Sequence, residues 1–354
     1  MTVIRVIHVP GRTPYARKLH DDRVQVLNGA SVDGRAVPRD VTLSWLLEYR
    51  PWDWLDVVHL HHLDFEPISR LRMVLTECHR AGKRVVFTVH DVNPVFGDRA
   101  VHHRRLGILA ENRVPFACLT PAGEADARWR FRADTVVVPH GYVAPPGTPQ
   151  RPARRKAGPT RFLIYGSLRV NRDVELVLAC WRFARHLAET TLHLLLRAPS
   201  RTSLAEDAEV WQTIREHAAD SRLRVDVLAF PTDDEVNEAL SGADYLLLPY
   251  RWASHSGQLE HAFDLGVLPV AARTGYLPDQ VALHHGLVAE PVWFAWEADA
   301  PFDHGAQLLR AMQRAHGAIQ EGWQAPGPEK FAEYRCGEHK QVMASYRALY
   351  EAGR

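Results

Sequence analysis

Cysteine is scarce in this chain and never paired. Four cysteines occur in 354 residues (Cys78, Cys118, Cys180 and Cys336). No two form a C-x-x-C pair, so the sequence offers neither a zinc framework nor a disulfide scaffold, and the four read as reduced thiols. Net charge is nearly absent as well. The 43 Lys and Arg set against 42 Asp and Glu leave +1, which excludes a protein that lives on nucleic acid by charge alone. No apolar run reaches the roughly 20 residues a bilayer-spanning helix needs. The first strand-like segment, Val3–Val9, is broken by Arg5 and His8, unlike a secretion signal. The expectation is a soluble, cytoplasmic protein. What is present is a globular mix, 46% hydrophobic and 24% charged, in a chain long enough for two α/β domains of ordinary size.

Short apolar runs punctuate the first half: Val3–Val9, Leu55–Leu60 (LDVVHL), Arg84–Val89 (RVVFTV) and Thr135–Pro139 (TVVVP). Between the second and third, Ile68, Leu71, Val74, Leu75 and Cys78 recur at helical spacing, which predicts a helix over Glu66–Ala81 terminated by Gly82. Buried β-branched runs that alternate with helices predict a parallel sheet of βαβ units. Residues 143–160 (VAPPGTPQRPARRKAGPT) carry proline, glycine and arginine without apolar period, the composition of a linker. The pattern then restarts. Strands are expected at Phe162–Tyr165, Leu192–Leu196, Leu223–Leu228, Tyr245–Pro249 and Leu268–Ala271, with helices at Val174–Leu187, Asp233–Leu240 and Ser256–Leu265. The expected architecture is α/β with two Rossmann-like domains, 1–145 and 161–327, joined by a linker at 146–160 and facing a central cleft. A last helix, roughly Pro328 to Tyr350, follows the break QAPGPE. It makes residues 328–354 a separate segment, of the kind that crosses back onto the first domain.

The most informative stretch is Asp244–Ala272, DYLLLPYRWASHSGQLEHAFDLGVLPVAA. A buried strand there ends in a polar, small-residue turn that opens a helix at Ser256-Gly257. A helix N-terminus offers unpaired N–H groups and the positive end of a dipole, and Gly257 lets a phosphate come close to the backbone. Ligands of such sheets sit beyond the carboxyl ends of the strands, where this turn lies. Glu260, His261 and Asp264 follow on the helix, and a carboxylate at that depth could take the sugar hydroxyls of a nucleotide. On spacing alone, an ordinary βαβ unit with a small-residue cap is an equal reading.

These residues resemble the family-4 (group 1) glycosyltransferases, whose architecture is GT-B. The subgroup reads P-Y-R, a few residues, S-G, two turns of helix, G, then P-V; Pro249, Tyr250, Arg251, Ser256, Gly257, Gly266, Pro269 and Val270 match it. Tyr165–Asp173 (YGSLRVNRD) resembles the subgroup's strand that ends in Gly, with an Arg and, three residues later, a Lys before a helix. Gly166, Arg169 and Arg172 fall on those positions. Gly82–Pro94 (GKRVVFTVHDVNP) resembles the strand that ends in a histidine facing the donor sugar, which places His90 there with Asp91 beside it. His8–Tyr15 is similar to the family's first loop over the diphosphate, with Gly11 in it, and Val137–Gly141 to its interdomain crossover.

The resemblance implies transfer of a hexose-type sugar from a nucleotide diphosphate donor, a UDP- or GDP-sugar, to an acceptor hydroxyl. It implies retention of configuration, with the departing phosphate helping to deprotonate the acceptor. Arg169 and Arg172 would neutralise the leaving diphosphate. His90 would contact the sugar, while Gly11, Gly166, Tyr250, Ser256, Gly257, Gln258, Glu260 and His261 would form the donor site. It implies no cofactor beyond the donor and no essential metal. The acceptor stays open among a glycan, a lipid-linked intermediate and a natural product. Many members carry a pair of glutamates in this region. Ungapped alignment on Gly266 puts Ala253 and His261 there, with Glu260 one residue off. That departure keeps a catalytically silent, donor-binding homologue as an alternative, and a nucleotide-sugar epimerase or a phosphorylase can share the same fold.

Other signals have bland readings. His59, His61, His62 and Asp64 invite a metal hydrolase, but a strand end facing a cleft explains them as well. His102–Arg105 and Arg151–Lys156 read as solvated loops, the sharper reading being an acceptor or anionic-lipid surface with peripheral membrane contact. His284-His285 reads as a loop. Trp52, Trp54, Trp293 and Trp296 read as packing.

Overall fold

The computed structural model describes residues 3–95, 97–148, 158–184, 187–199, 208–296, 301–323 and 329–352. The chain divides into two compact units, Met1–Val143 with Cys336–Arg354, and Ala144–Arg335.

The first unit is built on six parallel strands: β1 (Ile4–Val9), β2 (Val24–Val26), β5 (Val57–Leu60), β6 (Arg84–Val89), β7 (Phe116–Cys118) and β8 (Thr135–Val137). Their order in the sheet is β2-β1-β5-β6-β7-β8. A small antiparallel ribbon, β3 (Ser31–Val32) and β4 (Arg35–Ala36), stands apart. The helices are α1 (Pro14–Arg17), α2 (Leu43–Tyr49), α3 (Ile68–Arg80), α4 (Arg99–Glu111) and α5 (Pro121–Phe131). Helix α3 shows the local logic. Leu71, Val74, Leu75 and Cys78 form its buried stripe, His79 and Arg80 sit in the last turn where cations suit the dipole, and Gly82 takes a positive φ of 63° just beyond. The winding of the sheet reverses between β1 and β5, whose register pairs His8 with His59 and Val9 with Leu60.

The second unit has β9 (Thr160–Gly166), β10 (Thr190–Arg197), β11 (Leu223–Leu228), β12 (Tyr245–Leu248), β13 (Leu268–Arg273) and β14 (Val292–Ala295). They are ordered β11-β10-β9-β12-β13-β14 and all pairings are parallel. Counted within the unit this is 3-2-1-4-5-6, the doubly wound dinucleotide-fold order, with its switch point between β9 and β12. The helices are α6 (Val174–Phe183), α7 (Ala208–His217), α8 (Asp233–Gly242), α9 (Gly257–Asp264), α10 (Leu277–Ala282), α11 (Pro301–Gln320) and α12 (Glu329–Glu351). One core cluster, including Phe162, Leu194, Tyr245 and Val270, packs around the fully buried Trp181 and against α11; another, including Leu163, Leu246 and Ala271, packs against α9 and α10. The last helix starts in the second unit and ends in the first, where Tyr346 and Tyr350 are fully buried.

Several expectations change on this scaffold. His102–Arg105 is not a solvated loop: it lies within α4, where His102 pairs with Asp64 (Nδ1–Oδ1 3.4 Å) and Arg105 donates from Nε to the Glu66 carbonyl at 2.9 Å. Apolar periodicity misses α4 because a histidine and an arginine fill buried positions beside Leu106, Ile108 and Leu109. His284 lies in a turn but is buried, in an ion pair. Arg151–Lys156 and most of the expected linker fall outside the described residues. Among the described residues no helix is long and apolar enough to cross a membrane.

Candidate functional site

In the second unit the switch point opens because β9 and β12 separate. They pair only at Phe162–Tyr245 and Leu163–Leu246, so their carboxyl ends splay. The carbonyl of Tyr165 lies in that gap and is satisfied by side chains. Arg172 donates to it from Nη1 at 2.8 Å and Gln258 from Nε2 at 2.7 Å, while Arg172 Nη2 donates to Gln258 Oε1 at 2.7 Å. Gly166 makes this possible: its φ is 101°, and a Cβ there would stand 3.1 Å from Gln258 Nε2 and 3.6 Å from Arg172 Nη1.

Arg172 is 7% exposed, lies over the Tyr250 ring at 5.5 Å and is bridged to Tyr250 through the backbone. Its Nε is buried without a hydrogen-bond partner, and among the described residues no carboxylate pairs with it. A buried guanidinium balanced only by carbonyl, amide and aromatic groups retains an uncompensated charge, which an anionic ligand can satisfy. Asp173 beside it is engaged elsewhere: Oδ1 caps α6 by accepting from Leu176 N at 2.9 Å, and Oδ2 pairs with Arg251 at 3.0 Å. Arg169 is exposed on the same loop.

Ser256 is the N-cap of α9. Its hydroxyl accepts from Leu259 N at 3.2 Å and lies 3.1 Å from the Tyr250 hydroxyl. Its own amide donates to Gln280 Oε1 at 3.0 Å. The Ser256 amide is therefore occupied within the protein, which corrects the expectation that it faces a phosphate. The first-turn amides of Gly257 and Gln258, without intrahelical acceptors, are left for that task.

Glu260 and His261 are buried, and their polar atoms are spent on partners within the unit. Glu260 is ion-paired to Arg335, lies 3.0 Å from His284 Nε2 and accepts from Gln280 Nε2 at 2.7 Å. Burial alone would raise its pKa, but His284 and Arg335 outweigh burial and hold it well below the usual carboxylate range. Asp264, one turn on, accepts from Arg335 Nε at 2.7 Å and from the Ala144 amide at 3.1 Å. The two residues that bound this unit, Ala144 and Arg335, are thus both tied to α9. His261 hydrogen-bonds Tyr165 Oη at 2.9 Å and Asn237 Oδ1 at 2.7 Å, and desolvation lowers its pKa to about 4. A ribose contact from either side chain would require these bonds to break.

In the first unit, polar groups collect at the carboxyl ends of β1, β5 and β6. His90, half-buried, follows β6 and stacks on His62 at 4.5 Å, with Tyr15 edge-on at 5.0 Å. His61 bridges His90 and His8: His61 Nδ1 is 3.2 Å from His90 Nε2, and His61 Nε2 is 2.8 Å from His8 Nδ1. His59 is held between Tyr350 Oη (2.8 Å) and Thr88 Oγ1 (2.7 Å). Gly11 is needed by the loop itself, since a Cβ would lie 2.2 Å from Asn28 Nδ2 and 2.4 Å from the Arg39 carbonyl oxygen.

His8, His59 and His61 each bring one ligand atom within 4.8 Å of the others, a spacing that admits a metal ion. Five of their six ring nitrogens are already hydrogen-bonded, the exception being His8 Nε2. The Asp64 expected beside them pairs with His102 instead. The trio therefore reads as a hydrogen-bonded core rather than a cage waiting for a cation.

The chain matches no protein-family model and no curated protein sequence. Its fold does match solved structures. A sucrose-phosphate synthase from Thermosynechococcus elongatus superposes with a TM-score of 0.68 at 14% identity, covering 100% of both chains. Anabaena HepE, in complex with UDP and glucose, gives 0.67 at 11% identity over 98% of this chain and 100% of that one. The lipopolysaccharide outer core galactosyltransferase WaaB gives 0.58 at 12% identity over 99% of each. These neighbours and the two parallel six-stranded sheets agree on one architecture: two Rossmann-like α/β units of the GT-B type.

Proposed function

We propose that this chain is a glycosyltransferase of the family-4 kind that moves a hexose-type sugar from a UDP- or GDP-sugar to an acceptor hydroxyl with retention of configuration. The observation that carries the reading is Arg172: a buried cation without a carboxylate partner among the described residues, set at the switch point beside the first turn of α9. Both features suit a diphosphate. The structural neighbour HepE binds UDP and glucose in its crystals, ligands of the class proposed here as donor.

In this reading the amides of Gly257 and Gln258 hold the phosphates at the helix N-terminus. Arg172, with Arg169 on the same loop, meets the charge released as the sugar–phosphate bond breaks. Tyr250 and Gln258 hold the Arg172 guanidinium in place, and Glu260 and His261 fix α9 from within. His90 contacts the sugar being transferred. Arg172, Arg169 and a helix terminus supply the positive charge that a metal would otherwise bring, so EDTA leaves turnover unchanged.

The test is release of nucleoside diphosphate from a panel of nucleotide sugars, with and without candidate hydroxyl acceptors. Acceptor-dependent release supports transfer. Arg172→Gln should lower turnover by at least about 10²-fold if the guanidinium meets developing charge. Unchanged turnover removes Arg172 from the mechanism, and donor binding without turnover for any acceptor points to a silent homologue.

A further inference from the structure

The half of the histidine chain that lies beneath His90 has no task in that reading. His8 is fully buried on β1, and His61 is 1% exposed just past β5. Neither can touch a ligand that approaches the strand ends, yet each spends a ring nitrogen on the next histidine in line.

We propose that His8 and His61 are positioning residues that fix His90 in one tautomer, with Nε2 accepting a hydrogen bond and Nδ1 carrying the proton. The proposal rests on the reading of His90 as the residue that contacts the donor sugar. Desolvation lowers the His8 pKa to about 3 and holds His61 well below the usual imidazole value, so both are neutral in the ordinary pH range and each carries one ring proton. His8 Nε2, at the buried end, has no hydrogen-bond partner among the described residues. A proton there would be an orphaned buried N–H, the rarer and more costly defect, whereas a bare nitrogen lone pair is better tolerated.

The His8 proton therefore sits on Nδ1 and is donated to His61 Nε2. That nitrogen now accepts, so the His61 proton sits on Nδ1 and is donated to His90 Nε2. The direction of the whole chain follows from the single unpartnered atom at its inner end. The rings have little freedom to escape this arrangement. His59 packs at 4.1 Å from His61 and 5.0 Å from His8, and its own nitrogens are engaged by Tyr350 and Thr88. Tyr15 closes the side of both His61 and His90.

The consequence is chemical. With its Nε2 lone pair taken by His61, His90 has none left to remove a proton from an acceptor. It can act on a sugar or phosphoryl oxygen only as a hydrogen-bond donor.

Long-range ¹H–¹⁵N spectra of the full chain labelled with ¹⁵N-histidine at neutral pH test this, with signals assigned by single substitutions. All three rings should show a protonated Nδ1 and an unprotonated Nε2. A protonated Nε2 at His8 or His90 overturns the proposal without any variant. His61→Leu should release His90 into a mixture of tautomers and raise the donor KM by roughly 2- to 12-fold, the range for one ordinary hydrogen bond, with kcat little changed. His61→Asn, which restores an amide N–H near the Nδ1 position that His90 Nε2 accepts from, should recover both. A His61→Leu protein that keeps a pure His90 tautomer also overturns the proposal. Failure of the underlying reading looks different: the chain shows the expected tautomers, but a saturating UDP- or GDP-sugar leaves the His90 resonances unmoved.

Discussion

Replacing Arg335 by methionine tests how α9 is anchored. Arg335 is 2% exposed and holds two carboxylates, Glu260 and Asp264, that are themselves buried. Removing one partner of a buried ion pair leaves uncompensated charge and costs about 3–5 kcal/mol. For a unit of this size each kcal/mol lowers the melting temperature by about 2–4 °C, so the expected fall is roughly 6–20 °C. The loss should be pH-dependent. Glu260, driven upward by burial but downward more strongly by His284 and Arg335, has a depressed folded pKa. A depressed carboxylate stabilises the fold above its unfolded value, about 4.3, and that stability is lost as pH falls through the folded value. The gap between wild type and Arg335→Met should therefore narrow on acidification below about pH 4. Adding Glu260→Gln to Arg335→Met should recover part of the loss, because it removes one of the stranded charges. Scanning calorimetry at pH 7 and in the acidic range reads all three. A wild-type melting temperature in Arg335→Met at pH 7 refutes the anchoring argument.

Gly166→Ala should cost about 1–3 kcal/mol of stability through its φ of 101° and weaken nucleotide binding, because the new Cβ crowds Gln258 at 3.1 Å; thermal melts with and without nucleotide separate the two effects. Gly11→Ala puts a Cβ 2.4 Å from the Arg39 carbonyl. Overpacking of this kind should lower the denaturant midpoint by an amount equivalent to about 1–3 kcal/mol, and an unchanged midpoint would show that the loop can shift freely.

The fold was legible because both halves repeat the signal of buried parallel strands, such as RVVFTV and DYLLLP, between helical patterns. Three-residue strands such as β7 carry too few residues for a period, and α4 hides its stripe behind His102 and Arg105. The candidate site was legible only along the chain. Gly166, Arg172, Tyr250 and Gln258 were marked by the family resemblance, and the structure brings them together at one switch point. What the resemblance could not give was where each polar group spends its bonds. Gln280 takes the Ser256 amide from 24 residues away, and Arg335 takes Glu260 from 75. Such partners are set by tertiary packing alone. The histidine chain did leave a sequence signal: His8, His59 and His61 sit among Val and Leu in strand-like runs, at alternate positions that share one face of the sheet.

The central claim is that Arg172 and the first turn of α9 hold a nucleoside diphosphate. Calorimetric titration with UDP, GDP, ADP and dTDP, with and without EDTA, tests it most directly when repeated on Arg172→Gln. The account predicts that one diphosphate binds the wild-type chain regardless of EDTA. A charged hydrogen bond contributes about 1.5–3 kcal/mol, so Arg172→Gln should weaken that binding by roughly 10- to 150-fold. Equal affinity in the two proteins, binding that EDTA abolishes, or no binding by any of the four would contradict it.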